Sequence, residues 1–498
     1  MKKSNYLSAS ISDTQGVQIF TGAGRGPRRP RPAKTISEAA RETPVFAETD
    51  VLVVGGGPSG TAAAVAAGRL GADVMLVERY NHLGGLSTGG LVIWIDRMTD
   101  WSGREIISGI AHDILERLPA EAKQGPSRAD WGSRDAATAA YWSQRTAAYH
   151  GIVTFSPTVD PEALKTLSME LTLEQNVRLT FHAWAVEPIV EQGVMRGAIF
   201  ESKEGRRAIL AKVVVDTTGD ADLLARAGLE FENDIDEDSI HHCINTAFLL
   251  GGVDMARWLP FRFEDAEGFK DFMARGREQL KFFEKAFVSW RNDVALFMGP
   301  RLSGYSAVDV EDLSEVEIQS RRLTVGHLDF YRQNAPGFED AFLMLGAPQI
   351  GVRHSRRLIG LNQVSRGQWD EGRVWPDEIG VSTSLAPETP NISVPLGALT
   401  PAAIDGVLAA GRHIACDASS HSFLREVPQC WMTGHAAGVA AALAADAGIL
   451  PRELDAQLVQ RELLRQGAYL SPTIVRTNRS EAHDISGGNP LCFVHTNS

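Results

Sequence analysis

The fold of this chain is decided by the stretch Val51-Leu52-Val53-Val54-Gly55-Gly56-Gly57-Pro58-Ser59-Gly60. The apolar run predicts a buried strand, and three glycines follow it at the G-x-G-x-x-G spacing of dinucleotide-binding units. Gly55 permits the tight turn, Gly57 lets a pyrophosphate approach the backbone, and Gly60 lets helix and strand pack closely. The helix that begins near Ser59 directs free N–H groups and its positive dipole end towards phosphates.

The residues after this turn complete a βαβ unit. Thr61 to Gly68 carry only small side chains, as a helix lying against a sheet needs, and Val74 to Val77 predict a second strand. Glu78 ends that strand, where a carboxylate accepts the two hydroxyls of an adenosine ribose. NAD is a rival occupant of this half-site. NADP is disfavoured because Glu78 would repel a 2′-phosphate, although Arg79 next to it weakens that objection.

Length and charge narrow the class of protein. The chain has 498 residues, so we expect more than one lobe. Its 62 acidic and 49 basic residues give a net charge of −13, which argues against nucleic acid or an anionic membrane as partner. Ala436 to Leu450 is too short and too mildly apolar to span a bilayer. A reducing, cytoplasmic location is predicted by four cysteines that lie far apart, Cys243, Cys416, Cys430 and Cys492.

The middle of the first half predicts a β-meander that returns to the dinucleotide site. Alternating segments at 177–181, 183–190 and 193–201 are separated by glycine-containing turns. The strand Ala211 to Asp216 follows and runs directly into Thr217-Thr218-Gly219-Asp220. Small polar residues at the carboxyl end of a parallel strand are placed to approach a ligand.

Six separated segments together resemble the FAD-dependent oxidoreductases of the succinate dehydrogenase/fumarate reductase superfamily. More closely, they resemble its bacterial branch related to the flavin subunit of heterodisulfide reductase. In the family's order, and across roughly residues 48 to 450, the segments are Val51–Gly60 with Glu78, Gly84-Gly85, Val213–Asp220, Gly351–Arg357, Val407–Arg412, and His421–Cys430 leading to Thr433-Gly434.

The resemblance implies an α/β fold with a discontinuous, Rossmann-like FAD-binding domain of the glutathione-reductase type and an inserted α+β substrate domain. Phe269 to Phe287 in the inserted segment and Pro451 to Gln466 near the carboxyl end are predicted as helices. The expected division is 1–44 as a flexible basic N-terminal tail, 45–235 as the first part of the FAD-binding domain, 236–350 as the inserted substrate or cap domain, 351–450 as its second part, and 451–498 as a C-terminal helix and tail.

FAD is the cofactor that the resemblance implies. FAD is longer than one mononucleotide half-site, so a second glycine-rich loop and a distant strand end are plausible additions to the cradle. A helix that begins near Val427-Pro428 would set its positive end against the flavin N1/C2 edge. The predicted cofactor-binding residues are Gly55, Gly57, Pro58, Ser59, Gly60, Glu78, Arg79, Gly85, Ser87, Thr218, Gly219, Asp220, Gly411, Arg412, Val427 and Pro428.

Two pairs of residues are the catalytic candidates. His421 with Arg425 would supply an acid/base near neutral pH and a fixed positive charge for an anionic substrate. The alternative is that Arg425 pairs with Glu426 and His421 closes a turn. Arg353 and His354 form the second pair, and this chain departs from the family at His354, a position that is commonly acidic.

Several other side chains receive structural interpretations. Arg356 and Arg357 are expected to tie the lobes together by salt bridges. No metal site is predicted at His241-His242-Cys243, because no second ligand cluster has suitable spacing. Cys416 and Cys430 are expected to be buried, inert thiols. Most tryptophans are expected in the core, including Trp184, whereas Trp94 follows the flavin loop closely enough to flank a pocket.

The predicted function is a dehydrogenase or reductase that passes a hydride between a small polar organic substrate and the flavin N5. The alternatives are a flavin monooxygenase or oxidase on the same fold, a non-catalytic FAD-fold carrier or assembly protein, and a tRNA-modifying flavoprotein, which the acidic charge balance disfavours. The electron acceptor, covalent or non-covalent attachment of FAD, and a homo-oligomeric state are left open by the sequence.

Overall fold

The computed structural model describes residues 30–232 and 243–478 of the chain. Its α-helices are α1 (Pro58–Gly68), α2 (Ile110–Arg117), α3 (Ala136–Ser143), α4 (Pro161–Leu173), α5 (Asp222–Arg226), α6 (Met255–Phe263), α7 (Ala266–Leu280), α8 (Val310–Asn334), α9 (Arg366–Asp370), α10 (Ala418–Leu424), α11 (Val427–Ala447) and α12 (Ala456–Arg465). Residues 472–478 are also helical.

Strands contribute one large sheet and several small ones. In chain order they are β1 (Val45–Val54), β2 (Val74–Val77), β3 (Lys123–Gln124), β4 (Ala148–Tyr149), β5 (Ile152–Val153), β6 (Thr158–Val159), β7 (Arg178–Thr180), β8 (Trp184–Glu191), β9 (Val194–Ser202), β10 (Gly205–Asp216), β11 (Phe231–Glu232), β12 (Ile244–Asn245), β13 (Phe248–Gly251), β14 (Phe287–Val288), β15 (Val294–Phe297), β16 (Arg301–Leu302), β17 (Phe342–Gly346), β18 (Gly351–Val352), β19 (Arg357–Leu358), β20 (Glu378–Ser382), β21 (Ile392–Pro395) and β22 (Val407–Ala409).

The large sheet has a parallel centre and an antiparallel arm. Strands β7, β2, β1 and β10 lie side by side in parallel, and β22 pairs in parallel with the last three residues of β10. The first half of β10 pairs antiparallel with β9, which pairs antiparallel with β8. The predicted α/β class is confirmed, and the predicted meander is confirmed for β8, β9 and β10. The segment 177–181, predicted as its first strand, instead forms β7, which pairs in parallel with β2 at the opposite edge of the sheet. Because β1, β10 and β22 run parallel, their carboxyl ends meet at one edge of the sheet.

Helix α11 joins the two sequence blocks of this lobe by packing directly on α1. Two glycines on α11 make the contact possible, because a Cβ atom at Gly434 would stand 2.1 Å from the carbonyl oxygen of Ser59 and one at Gly438 would stand 2.2 Å from that of Ala63. The small residues predicted for α1 therefore allow α11 to pack closely on one side of this helix and the large sheet to pack on the other. The main hydrophobic core includes both helices and the central strands.

A second hydrophobic core lies in the segment between β12 and β18. The antiparallel sheet in the order β14-β15-β13-β17 separates it from the main core. Alternate residues of β13 face opposite ways, so Leu249 packs into the main core while Phe248 and Leu250 pack into the second. Aromatic rings dominate the second core, where the ring centroids of Trp258 and Phe272 lie 5.6 Å apart.

Some predicted elements end elsewhere than expected. The helix predicted at 269–287 is α7, Ala266–Leu280, and it ends where Lys281 takes a positive φ of 61°. The helix predicted from Pro451 is a 3-10 turn, Pro451–Glu453, followed by α12, which Asp455 caps by accepting a hydrogen bond from the N–H of Gln457.

The predicted terminal regions are only partly within the described residues. Residues 1–29 of the basic tail, residues 236–242 of the predicted insert and residues 479–498 lie outside them. The described part of the tail, residues 30–44, has no regular secondary structure and is largely exposed, and its Arg31 forms an ion pair of 2.7 Å with Asp309. None of the described helices has the combination of length and hydropathy that a membrane crossing requires.

The α1–α11 contact predicts that Gly438→Ala destabilises the protein. The added methyl group cannot fit against the Ala63 carbonyl without moving one helix, which we expect to cost ~1–3 kcal/mol, typical of overpacking. Gly367→Ala in α9 is the matched control, since a Cβ there meets nothing within 4 Å. Denaturant midpoints measured by circular dichroism compare the two variants, and an unchanged midpoint for Gly438→Ala would contradict the packing described here.

Candidate active site

The turn between β1 and α1 shows what each motif glycine does. Gly55 has a φ of 102°, and a Cβ atom there would stand 2.7 Å from the carbonyl oxygen of Thr217, while one at Gly60 would stand 1.8 Å from that of Gly55. These two glycines are required by packing. Gly57 differs, because a Cβ atom there meets nothing within 4 Å and the residue lines a cavity. The backbone at Gly57 is therefore open to the cavity.

The acid at the end of β2 is held by the backbone. Glu78 accepts a hydrogen bond of 2.6 Å from the N–H of Gly56 and one of 2.8 Å from the N–H of Tyr80. Beside it, the Arg79 guanidinium lies 5.7 Å from the ring centroid of Trp184 and 5.0 Å from that of Tyr80. The expectation that Trp184 is a core residue is wrong: its side chain is 51% exposed and lines the cavity. It stands at the start of β8, where only the assembled sheet brings it next to Arg79.

The loop after β10, Thr217 to Asp220, forms the next part of the cavity wall. Asp220 accepts a hydrogen bond of 2.7 Å from Arg412 and one of 2.5 Å from Ser355. Burial acts to raise the pKa of the Asp220 carboxyl, but the charge of Arg412 and these hydrogen bonds outweigh it and hold that pKa below its usual range. The Nε of Arg412 is buried and has no hydrogen-bond partner among the described residues.

These loops line one large cavity of about 1080 Å³. Residues from both predicted parts of the FAD-binding domain contribute to its wall. The predicted cofactor-binding residues that line it are Gly55, Gly57, Pro58, Ser59, Glu78, Arg79, Gly85, Thr218, Gly219, Asp220, Arg412 and Val427. The first turn of α11 also has no side-chain cap, so its free N–H groups and positive dipole end remain for a ligand.

Four predicted binding residues do not line the cavity, for packing reasons. Besides Gly60, Ser87 is fully buried and donates a hydrogen bond of 2.7 Å to the carbonyl oxygen of Gly84. Gly411 packs against Ser59, whose Oγ lies 2.7 Å from the position of an added Cβ atom. Pro428 is buried within the first turn of α11. These four residues pack behind the residues that line the cavity and do not face it.

The two predicted catalytic pairs divide between the cavity and the protein interior. Arg353 and Arg425 line the cavity. His354 and His421 do not: both are buried, and their rings pack edge to face with 5.0 Å between centroids. The structure thus corrects the expectation that either imidazole faces a substrate. The reason is the orientation of α10, which presents Ser422 and other residues to the cavity and turns His421 inward.

Arg301, which the sequence analysis missed, completes an arginine cluster at the cavity. It is buried, its Nη1 lies 3.6 Å from Oε1 of Glu284, and its Nε has no hydrogen-bond partner among the described residues. Arg425 pairs with Glu426 at 3.1 Å, as the alternative interpretation predicted. Burial lowers the pKa of both Arg301 and Arg425, and the positive charge of Arg353 lowers each further. No motif marks Arg301 in the sequence.

Other candidate side chains have structural roles. Arg356 donates hydrogen bonds of 2.8 Å to the carbonyl oxygen of Asp220 and 3.2 Å to the carboxylate of Asp222. Arg357 donates to the carbonyl oxygen of Cys416. Cys416 and Cys430 are buried, and burial raises the pKa of each thiol to about 12, so neither is a thiolate at neutral pH.

The sequence predicts no metal site at His241-His242-Cys243. His241 and His242 lie outside the described residues. Elsewhere in residues 30–232 and 243–478, no group of three or more histidine, cysteine, aspartate or glutamate side chains is arranged to hold a metal ion.

Comparison with known proteins gives the family. The sequence model of the family described as FAD dependent oxidoreductase matches residues 50–463. The fold is similar to a geranylgeranyl bacteriochlorophyll reductase-like protein from Thermoplasma acidophilum, with 14% identity over 87% of each chain and a TM-score of 0.44. An L-amino acid deaminase from Proteus vulgaris is 13% identical over 85% of this chain and 96% of its own, with a TM-score of 0.38. Likenesses this distant assign no reaction.

Gly57 faces open space, whereas Gly55 and Gly60 are tightly packed. A substitution of Gly57 is therefore predicted to weaken FAD binding without affecting the stability of the fold. We expect Gly57→Ala to fold with unchanged stability and to bind FAD at least about tenfold more weakly, because its methyl group occupies the space of the pyrophosphate. Gly57 has a φ of −67°, which alanine adopts without strain. Isothermal titration of the flavin-free protein with FAD measures the affinity. Affinity equal to that of the parent protein would contradict the placement of the phosphates.

Proposed function

The chain belongs to the FAD dependent oxidoreductase family, and from that premise we propose that it is a dehydrogenase or reductase acting on a small organic anion. FAD, when bound, accepts or donates two electrons as a hydride at its N5. Support for the finer assignment comes from the chain's own residues at the wall of the cavity, since the family includes several kinds of flavin chemistry.

The arginine cluster is the observation that carries the proposal. Arg301, Arg353 and Arg425 bring three positive charges to one part of the cavity, and the nearby Glu284 and Glu426 bring two negative charges. A buried charge without a partner is costly, so an excess guanidinium favours an anionic ligand. Arginine also fixes the orientation of a carboxylate through paired hydrogen bonds. We therefore assign these side chains the binding and orientation of a substrate carboxylate.

A proton accompanies the hydride, and Glu426 is the side chain that we assign to it. In the oxidative direction Glu426 would take the proton that leaves the hydroxyl, amino or C–H group next to the substrate C–H bond that bound FAD would oxidise. Glu426 lines the cavity beside Arg425. His354 and His421, the sequence-based candidates, become positioning residues in this proposal because their rings pack behind the wall.

We also propose that the chain belongs to the branch of the succinate dehydrogenase/fumarate reductase superfamily related to the heterodisulfide reductase flavin subunit. Two of the segments that carry this resemblance, Gly351–Arg357 and Val407–Arg412, contribute Arg353 and Arg412 to the cavity. The departure at His354 lies in a buried ring pair, so it alters the support of the site and leaves its lining unchanged.

Anaerobic titration tests the proposed reaction. The flavin-loaded protein is mixed with saturated, 2-hydroxy and 2-amino carboxylic acids, and the dithionite-reduced protein with unsaturated and 2-oxo acids. We expect one class of acid to bleach the visible flavin absorbance, or to restore it, without oxygen. If uncharged alcohols or amines bleach the flavin absorbance and no acid does, the proposal of an anionic substrate is wrong. Consumption of oxygen with hydroxylation of the substrate would contradict the dehydrogenase.

Arg353→Gln is expected to raise the dissociation constant of the reactive acid at least about tenfold, because a hydrogen bond to a charged group contributes ~1.5–3 kcal/mol. The FAD content should not change. Arg291→Gln is the matched control, since Arg291 lies at the surface in an ion pair of 2.7 Å with Asp293 and outside the cavity wall. Perturbation of the flavin spectrum measures binding, and equal affinities for Arg353→Gln and parent would remove the basis of the proposal.

Glu426→Gln should leave the affinity for the acid close to that of the parent and slow flavin reduction by ~10²–10⁴-fold, the usual contribution of a positioned acid or base. The amide keeps an oxygen for the contact with Arg425 but cannot take a proton. Stopped-flow absorbance under anaerobic conditions gives the rate of reduction. A rate equal to the parent's at every pH would show that the proton leaves by another route.

A further inference from the structure

The cavity continues beyond the arginine cluster into a compartment with aromatic walls. This compartment, which we call the aromatic compartment, lies where the loop after α3 approaches the segment between Leu91 and Trp101. The apolar side chains that line it are Trp94, Trp101, Tyr149, Leu385 and Phe423.

Two of these rings are anchored on a single carbonyl group. The indole N–H of Trp94 donates a hydrogen bond of 3.0 Å to the carbonyl oxygen of Thr146, and the hydroxyl of Tyr149 donates one of 2.8 Å to the same oxygen. Thr146 has a positive φ of 57°, so a sparsely populated backbone conformation presents this acceptor. The two ring centroids lie 6.5 Å apart with the ring planes tilted by 56°. The polar tips are used by the protein, and the ring surfaces remain for a ligand.

The polar groups around Trp101 are also committed to the protein. Its indole N–H donates a hydrogen bond of 3.0 Å to the hydroxyl of Ser384, and Arg97 donates one of 2.8 Å to the carbonyl oxygen of the same serine. The Arg97 guanidinium lies 4.7 Å from the ring centroid of Trp101 and 3.5 Å from the carboxylate of Asp96. Arg97 is thus occupied by an ion pair, a carbonyl and a ring.

The aromatic compartment and the arginine cluster line the same cavity, and Glu426 is part of its wall. This carboxylate pairs with Arg425 on one side. On the other side, burial raises the pKa of the Tyr149 hydroxyl, and the negative charges of Asp96 and Glu426 raise it further. Tyr149 is therefore a neutral hydrogen-bond donor at all physiological pH values and lies within the electrostatic reach of Glu426. Both parts belong to the same cavity of about 1080 Å³.

We propose that the substrate is an aromatic carboxylic acid, with its carboxylate on the arginine cluster and its ring against the Trp94–Tyr149 pair on the side that faces the cavity. This inference rests on the proposed function for the carboxylate and adds the ring. An offset or edge-to-face contact with two aromatic residues favours an aromatic ring over a saturated one of the same size. Ordinary alkyl chains and the benzenoid edge of the flavin itself are the competing occupants, and the test separates them.

Binding of four probe acids to the flavin-loaded protein tests the inference without requiring turnover. The acids are phenylacetate, 3-phenylpropionate, cyclohexylacetate and acetate, and dissociation constants come from equilibrium dialysis. We expect at least one phenyl acid to bind about tenfold or more tightly than acetate and more tightly than cyclohexylacetate. Cyclohexylacetate binding as tightly as both phenyl acids, or no binding of any phenyl acid, would overturn the inference.

Two variants locate the ring. Trp94→Leu and Tyr149→Leu should each remove most of the advantage of the phenyl acid over acetate while the FAD content stays at the parent level. Trp131→Leu is the matched control, because Trp131 stacks on Phe155 at 4.4 Å and is outside the cavity wall. Loss of FAD from Trp94→Leu and Tyr149→Leu, with the control unaffected, would assign the aromatic compartment to the cofactor and overturn the inference.

The outcome for Arg353→Gln separates this inference from the proposed function. If Arg353→Gln weakens the binding of the phenyl acid and of acetate by the same factor, the arginine site is supported. This conclusion holds for any result with Trp94→Leu. An unchanged affinity for both acids, together with a preference for the phenyl ring that Trp94→Leu abolishes, would mean that the arginine site fails while a ring site exists. In that case the ligand class proposed here, an acid, is also wrong.

Discussion

The parallel pairing of β10 with both β1 and β22 is the interaction on which the rest of the structure depends. It brings together strand ends that are separated by more than 350 positions in the chain, since Val54 and Ala409 both pair next to Asp216. The side chain of Thr217 secures this junction by donating hydrogen bonds of 2.8 Å and 2.7 Å to the carbonyl oxygens of Val54 and Gly55. The segments that directly follow β1, β2, β10 and β22 leave the sheet from this edge, and all four contribute to the cavity wall.

The features that depend on a few consecutive residues could be predicted from the sequence, because the local backbone geometry determines which residue types fit. Gly55 and Gly60 could be assigned since their turn and contact tolerate no side chain, and the meander could be assigned from alternating residues and glycine turns. Helix α11 was predicted from Pro428 and the alanine-rich run after it. The family match across residues 50–463 confirms FAD as the cofactor.

Features that depend on long-range packing were not predictable. Arg301 reaches the cavity because β16 pairs with β12, and Trp184 is exposed on β8, which is the edge strand of the large sheet. The direction of the His421 side chain depends on the rotation of α10, which no periodicity in seven residues can fix. Arg301 lies 52 and 124 positions from Arg353 and Arg425, and Trp184 lies 105 positions from Arg79, so no local pattern in the sequence links these residues.

The shared cradle has a consequence for the order in which the protein is made. Its amino-proximal half, up to Asp220, leaves the ribosome long before α11, yet α11 supplies the contact of Gly434 with the Ser59 backbone that closes the cradle on its far side. The complete binding site for the coenzyme therefore forms only after α11 has been synthesised. Until then the face of α1 that α11 covers lacks its partner in the finished fold, and exposed apolar surface of this kind makes incompletely folded chains prone to association.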